Sequence, residues 1–148
     1  DLPAVLHLLA KWNMEPKSAT QTGVRPERDH IETGNTFVAF LQDRLVGVSS
    51  FLMIDAVHAE TASLAVDPEF LGCGIGHKLQ HRRLEEMRNR GVRHVRTEAD
   101  RPNVIRWYVE KFGYRKTGII PKRHDFGDHR RSEWTLLELD LEAWAATE

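Results

Sequence analysis

Gly72, Gly74 and Gly76 stand at alternate positions directly before a stretch with helical spacing. Glycine allows backbone conformations in which several N–H groups point into one space, and a helix N-terminus favours negative charge. The segment could therefore hold a pyrophosphate, or it could only form a tight turn between a strand and a helix. Two other phosphate loops do not fit: His77 occupies the third glycine position of a dinucleotide fingerprint, and no Gly-Lys pair precedes Ser or Thr.

Glu60 is a candidate acid–base group on a predicted strand. It shares strand parity with Ala62, Leu64 and Val66, so a regular strand that turns Leu64 and Val66 inward also turns this carboxylate inward. A β-bulge would reverse that parity, and glutamates near strand ends are commonly solvated. A base role and a solvated role therefore both stay open.

Histidine and cysteine supply few further options. His58, His124 and His129 could titrate near neutral pH as alternative bases, although a single histidine is more often a surface or capping residue. Cys73 is the single cysteine, so no internal disulfide can form and a reducing, cytoplasmic setting is expected. A pair of histidines four residues apart lacks a third ligand, so we predict no metal site.

Length and composition narrow the class of protein. The 148 residues are 41% hydrophobic and 29% charged, which predicts one compact soluble domain over residues 1–148. The apolar stretch Leu2 to Ala10 is far shorter than the ~20 residues that span a bilayer, so we expect no membrane partner. Basic residues concentrate between His77 and Arg96 and could meet an anion. The slightly acidic chain lacks aromatic–basic interleaving, so we expect no nucleic-acid partner.

Hydropathy spacing in the first half predicts one helix followed by a meander. Apolar residues recur at helical spacing from Leu2 to Trp12, and Arg25 to Ile31 could form a second, short helix. From Thr36 the period changes to two, which predicts antiparallel strands. These strands are Phe37 to Leu41, Leu45 to Ile54 and His58 to Val66.

The second half alternates helices and strands. A helix that starts at Ile75 is ended by Gly91, and a helix over Val104 to Phe112 is closed by Gly113. The predicted strands of this half are Val95 to Ala99, Tyr114 to Ile120 and Trp134 to Leu139. The pattern predicts an α/β fold in which a mixed sheet carries helices on both faces.

A second motif lies one strand after the helix that follows the glycine loop. From Arg101 to Tyr114 it reads Arg-Pro-Asn-Val-Ile-Arg-Trp-Tyr-Val-Glu-Lys-Phe-Gly-Tyr. With the glycine loop and the order of elements from Thr36 to Leu139, it resembles the GNAT superfamily of acyl-CoA-dependent N-acetyltransferases. The resemblance implies a central, mostly antiparallel sheet and acetyl-CoA as cofactor. It also implies acetyl transfer to a primary amine, on a small molecule or a peptide or protein, by direct attack in a ternary complex.

The resemblance places the family's phosphate loop on the segment Leu71 to Gly76. The resemblance implies that backbone N–H groups bind the cofactor's pyrophosphate, namely those of Cys73, Gly74, Ile75 and Gly76. Lys78 would add positive charge beside them. Leu71 departs from the glutamine or arginine that the family carries at the first loop position.

The resemblance also implies roles on the strands and on the second helix. The backbone N–H of Leu64 would polarise the acetyl carbonyl, and Val66 would pair with the pantetheine arm, for which Asn103 is a further candidate. Glu60 would accept the amine proton, directly or through water. The Tyr108 hydroxyl would protonate the departing thiolate, since a phenol stays protonated at neutral pH.

Three positions depart from the family pattern and motivate an alternative. The position at which the family carries an asparagine, counted back from Tyr108, holds Arg101 in this chain. The position at which the family carries its tyrosine, counted back from the turn glycine Gly113, holds Val109. With Leu71, these departures motivate the alternative of a catalytically weak or inactive acyl-CoA-binding sensor or partner module with the same fold. A homodimer is a further possibility.

Overall fold

The computed structural model describes residues 2–12, 14, 35–123 and 125–147. The helix expected over Arg25 to Ile31 and the candidate base His124 lie outside these residues. The helices are α1 (Leu2–Ala10), α2 (Ile75–Asn89), α3 (Pro102–Phe112) and α4 (Leu141–Ala146). The strands are β1 (Thr36–Leu41), β2 (Arg44–Met53), β3 (His58–Val66), β4 (His94–Ala99), β5 (Arg115–Pro121) and β6 (Glu133–Asp140).

These strands form one sheet in the order β1-β2-β3-β4-β6-β5. All neighbouring strands are antiparallel except β3 and β4, which are parallel. The meander and the mixed, mostly antiparallel sheet are therefore confirmed. The spacing of apolar residues misses α4, although Asp140 marks its start by accepting hydrogen bonds from the N–H groups of Glu142 and Ala143.

Helices cover both faces of the sheet, as predicted. One buried cluster packs α2, α3 and α4 against the sheet, and it includes Leu84, Tyr108, Trp144, Ala59 and Leu137. A second cluster packs α1 against the other face through Val5, Leu8, Leu9, Val48 and Ala65. No helix in the described ranges is long and apolar enough to cross a membrane.

The parallel strands β3 and β4 pair over only three residues each. Their ladder joins His58–Glu60 to His94–Arg96, after which the two strands separate while β4 continues to pair with β6. The Thr61 hydroxyl donates a hydrogen bond to the Thr97 hydroxyl at the point of separation. A gap therefore opens in the middle of the sheet between 61–66 of β3 and the end of β4.

A β-bulge lies in β3 where the gap begins. Ser50 of β2 pairs with Ser63, but the next residue, Phe51, pairs with Thr61, so Ala62 is an extra residue in β3. Ala59 and Leu64 consequently face the same cluster although they are five residues apart. The regular strand that would put Glu60 on the same face as Leu64 is therefore not present, and Glu60 faces the α1 side.

The basic stretch between His77 and Arg96 does not form one surface. Arg83 is fully buried, and Arg82 lies over the ring of Phe37. Other arginines of the stretch are paired with carboxylates: Arg90 with Glu86, Arg93 with Glu142 and Arg96 with Glu60. Three of the basic side chains are thus paired with carboxylates, whereas Arg82 and Arg83 lie against neutral groups.

Candidate functional site

The gap between β3 and β4 opens into a cavity of about 270 Å³. One wall comes from residues 61–66 of β3 and another from the end of β4 and the turn after it. Helices α2 and α3 contribute Gly76, Val104, Trp107 and Tyr108. Trp12, Phe126 and Trp134 also line the cavity, so aromatic rings surround much of the space.

Backbone groups of Leu64 and Val66 point into this gap. The Asp67 N–H donates to the Val46 carbonyl of β2 at 2.8 Å. Because backbone groups along a strand point to alternate sides, those of Val66 and Leu64 point away from β2. The Val66 carbonyl confirms this direction by accepting a hydrogen bond from the Trp12 indole at 2.8 Å. Both residues line the cavity.

The glycine loop joins the cavity to the start of α2. Gly72 and Gly74 have φ of 84° and 82°, a left-handed conformation that glycine adopts without steric cost. Gly74 is the N-cap of α2 and brings no capping side chain, so the first N–H groups of the helix are not capped. Gly76 lines the cavity, and therefore these donors lie at its edge.

This arrangement fits a ligand with a phosphate at one end and a narrow arm, which is the shape of CoA. The uncapped helix N-terminus favours an anion, and Lys78 is exposed on the first turn of α2. The separated strands offer backbone groups to an extended arm, as a neighbouring strand would. Within the described residues, no group of three or more His, Cys, Asp or Glu side chains could hold a metal ion.

Tyr108 lies on the wall of the cavity and is 4% exposed. Its ring is held edge-to-face by Trp107 and Tyr114, each with centroids 5.0 Å away. Its hydroxyl lies 3.3 Å from Nη2 of Arg83. The structure thus places a fixed phenol at the cavity, where the sequence analysis assigns an acid.

Arg83 and Gln80 form a buried polar network that the sequence analysis missed. The Arg83 guanidinium donates to the carbonyls of Ser50 and Ser63, which pair with each other across β2 and β3 next to the bulge, and to Oε1 of Gln80. Nε2 of Gln80 in turn donates to the Tyr114 hydroxyl at 2.9 Å. Burial raises the pKa of Tyr114 well above its usual range.

A sequence signal for this network exists in α2. The buried positions of the helix are Leu79, Gln80, Arg83, Leu84 and Met87, which is one continuous stripe at helical spacing. Two polar residues within an apolar stripe indicate a buried network rather than a solvated face.

The carboxylates divide between the cavity and its surroundings. The Glu60 side chain is 7% exposed and pairs with Arg96 at 3.5 Å, and it is not among the residues that line the cavity. Glu98 and Asp100 of the β4 side do line it. Asp100 is engaged by Lys122, whose ammonium lies 2.9 Å from Oδ2. Glu98 is therefore a cavity carboxylate that the sequence analysis did not identify.

The remaining predicted residues lie away from the cavity lining. Cys73 and Asn103 are exposed, the latter in the first turn of α3. The His58 ring contacts Asp55 at 2.9 Å, and the His129 ring contacts Asp125 at 2.6 Å. The structure thus brings Leu64, Val66, Gly76 and Tyr108 together at one cavity, and it does not bring the two described histidines there.

The sequence model of the acetyltransferase (GNAT) family matches residues 2–114. A search of curated proteins found no significant match.

The fold is similar to several solved structures, at identities that bear on the fold alone. Ard1 from Thermoplasma volcanium is 24% identical with a TM-score of 0.58, over 66% of this chain and 64% of that chain. The ribosomal-protein-S18-alanine N-acetyltransferase from Escherichia coli is 20% identical with a TM-score of 0.70, over 95% and 88%. A GNAT family acetyltransferase from Elizabethkingia anophelis, crystallised with acetyl-CoA bound, is 18% identical with a TM-score of 0.61, over 71% and 74%.

Proposed function

The chain belongs to the acetyltransferase (GNAT) family, whose members are acetyl-CoA-dependent N-acetyltransferases, and we propose that it acetylates a primary amine by direct attack in a ternary complex. The observation that carries this proposal is the cavity between the separated strands β3 and β4. It joins an uncapped helix N-terminus at one edge to a buried tyrosine on its wall.

The chain offers backbone groups to the pyrophosphate, the pantetheine arm and the acetyl carbonyl of the cofactor. When bound, acetyl-CoA supplies an acetyl thioester. The N–H groups from Cys73 to Gly76 would hold the pyrophosphate, with Lys78 adding charge from α2. The backbone of Val66 would pair with the pantetheine, and Asn103 stays a further candidate for that arm. The Leu64 N–H would hydrogen-bond the carbonyl oxygen as negative charge develops there.

Two side chains would move protons in the transfer. The Tyr108 hydroxyl gives its proton to the sulfur as the carbon–sulfur bond breaks. Glu98 takes the proton that the amine loses, because it is a carboxylate on the cavity wall. Glu60, which the family resemblance suggests for this role, would need a water to reach the cavity from its place beside Arg96.

The lining of the cavity favours an amine carried on an apolar or aromatic body. Trp12, Phe126 and Trp134 give the cavity an aromatic surface that packs against apolar atoms. Glu98 adds negative charge on the same wall, whereas the charge of Asp100 is paired with that of Lys122. A small arylalkyl amine and a peptide with an apolar side chain beside its amine both meet these requirements.

Binding measurements followed by an amine panel test the proposal. CoA and acetyl-CoA should raise the melting temperature, because a ligand that binds the folded state stabilises it by mass action, whereas NAD and ATP should not. Release of free thiol from acetyl-CoA is then measured with aliphatic amines, arylalkyl amines and peptides. Equal shifts from NAD would refute the cofactor. Tight acetyl-CoA binding without turnover on any amine would favour the sensor module.

Two further expectations are part of the proposal. A homodimer could form along β5, an edge strand on which every residue is exposed, and sedimentation would test it. A reducing, cytoplasmic setting suits the exposed and unpaired thiol of Cys73.

A further inference from the structure

Arg83 carries a positive charge in the interior of the protein, and no carboxylate among the described residues pairs with it. Arg83 is 0% exposed, and its guanidinium donates hydrogen bonds to neutral groups. These are the carbonyls of Ser50 and Ser63, the Oε1 of Gln80 and the hydroxyl of Tyr108. Burying a charge that lacks a counter-ion is costly, so a merely structural link at the bulge would be better made by a neutral donor.

The position of the Arg83 guanidinium indicates which group its positive charge can stabilise. Arg83 lines the cavity, as does Tyr108, and their side chains are 3.3 Å apart. A fixed positive charge in a site that excludes water stabilises negative charge that develops close by. During acetyl transfer, negative charge develops on the sulfur that Tyr108 protonates.

No other charged group competes with Arg83 on this side of the cavity within the described residues. Glu98 lies on the opposite face of β4 from Thr97, and Asp100, which follows the strand, is paired with Lys122. Arg101 lies 5.2 Å over the ring of Trp12. The titratable groups packed against the guanidinium are the phenol of Tyr108 and, through Gln80, that of Tyr114.

We propose that Arg83 is a positioning residue that holds the Tyr108 hydroxyl toward the leaving sulfur and supplies the positive charge that stabilises the thiolate. In the step, the amine nitrogen bonds to the carbonyl carbon and the carbon–sulfur bond breaks, its electron pair remaining on sulfur. The Tyr108 proton moves to sulfur, and the amine proton moves to a carboxylate. Tyr108 then takes a proton from solvent while the carboxyl group releases the amine's proton to solvent, so both groups return to their starting states. The inference rests on the proposed role of Tyr108.

The ionisation of the thiol of bound CoA tests this charge without any acceptor amine. The thiolate is followed by ultraviolet absorbance over a range of pH with protein in excess. The complex with desulfo-CoA, which lacks the thiol, is subtracted to remove the tyrosine signal. In the wild type, the bound thiol should ionise at a lower pH than free CoA does.

Arg83→Met removes the charge, and the ionisation midpoint should rise by about one pH unit or more, which is a tenfold change in the ionisation constant. Arg83→Lys should restore part of the shift. Gln80→Met is the matched control, because it breaks the same buried network but leaves the charge, and its midpoint should stay near that of the wild type. A folded Arg83→Met protein with the wild-type midpoint would overturn the proposal.

If Arg83→Met does not fold, the ionisation midpoint of CoA bound to the wild type still tests the proposal. A bound thiol that ionises at the same pH as free CoA, or at a higher one, would refute the role of Arg83. Failure to bind CoA at all would instead refute the cofactor site, and with it this inference. The two failures are therefore distinguishable.

Discussion

The side chains of Thr61 and Thr97 hydrogen-bond each other at the point where β3 and β4 separate, and both line the cavity. The Glu60–Arg96 pair is the last step of the parallel ladder before this bond. The two buried hydroxyls thus join the strands just before the gap opens.

Thr61→Val should lower the free energy of unfolding by about 1–3 kcal/mol, because the buried Thr97 hydroxyl then lacks its partner. The double variant Thr61→Val/Thr97→Val has no unpaired hydroxyl and should be closer to the wild type than either single variant. Urea unfolding of all four proteins checks this. Additive losses would show that the hydrogen bond does not couple the two residues.

Tyr108→Phe should reduce turnover by about 10²-fold with little change in CoA affinity, because it removes the proton donor and keeps the ring. Tyr114→Phe is the control, since that hydroxyl is also buried but meets Gln80 instead of the cavity. Steady-state rates with an accepted amine and calorimetric CoA titrations measure the two effects. Equal rate losses in both variants would point to a packing effect.

Glu98→Gln should lower kcat/KM by about 10²-fold or more, because an amide cannot accept the amine proton. Glu60→Gln should keep the wild-type kcat/KM and act mainly on stability through the lost pair with Arg96. Both variants are measured with the same amine at neutral pH. A loss of rate in Glu60→Gln alone would return the base to the position that the family resemblance suggests.

Gly76→Glu should weaken CoA binding by more than about tenfold, because it adds bulk and negative charge beside the uncapped N–H groups of α2. A Cβ at this position meets Val66 at an ordinary 3.6 Å, so Gly76→Ala is a control that should bind CoA. Leu71→Arg should, if anything, tighten binding. Normal CoA affinity in Gly76→Glu would show that the loop is only a turn and does not bind the pyrophosphate.

Protonation of Asp67 should lower the free energy of unfolding of the wild type in acid. Hydrogen bonds from Lys11, the Glu69 N–H and Arg44 lower the pKa of Asp67 from 3.8 to about 2. A carboxyl with a lowered folded-state pKa contributes stability above its unfolded value, and this is lost as pH falls from about 4 through about 2.

Asp67→Asn should therefore be less stable at neutral pH and show a shallower loss between pH 4 and 2, measured by urea unfolding. Glu69→Gln is the control, because Glu69 binds the same Arg44 at 3.0 Å but is exposed, and exposed pairs contribute little. A Glu69→Gln profile as shallow as that of Asp67→Asn would assign the effect to general surface charge.

Local patterns in the sequence are sufficient for the described elements other than α4, for their order and for the family resemblance. The two-residue period of the meander, the helical spacing from Ile75 and the turns at Gly74 and Gly113 are properties of neighbouring residues. The same holds for the glycine loop, because its conformation depends on its own backbone. Short-range sterics and periodic burial decide such features, and they can be read along the chain.

The detailed site depended on contacts between distant segments. The bulge at Ala62 is a matter of register between β2 and β3, and it turns Glu60 away from the face that a regular strand predicts. The separation of β3 from β4 decides that Glu98 lines the cavity, and the packing of α2 on the sheet decides that Arg83 is buried against Tyr108. Register and burial are set by the sum of many long-range contacts, so only the tertiary structure determines them.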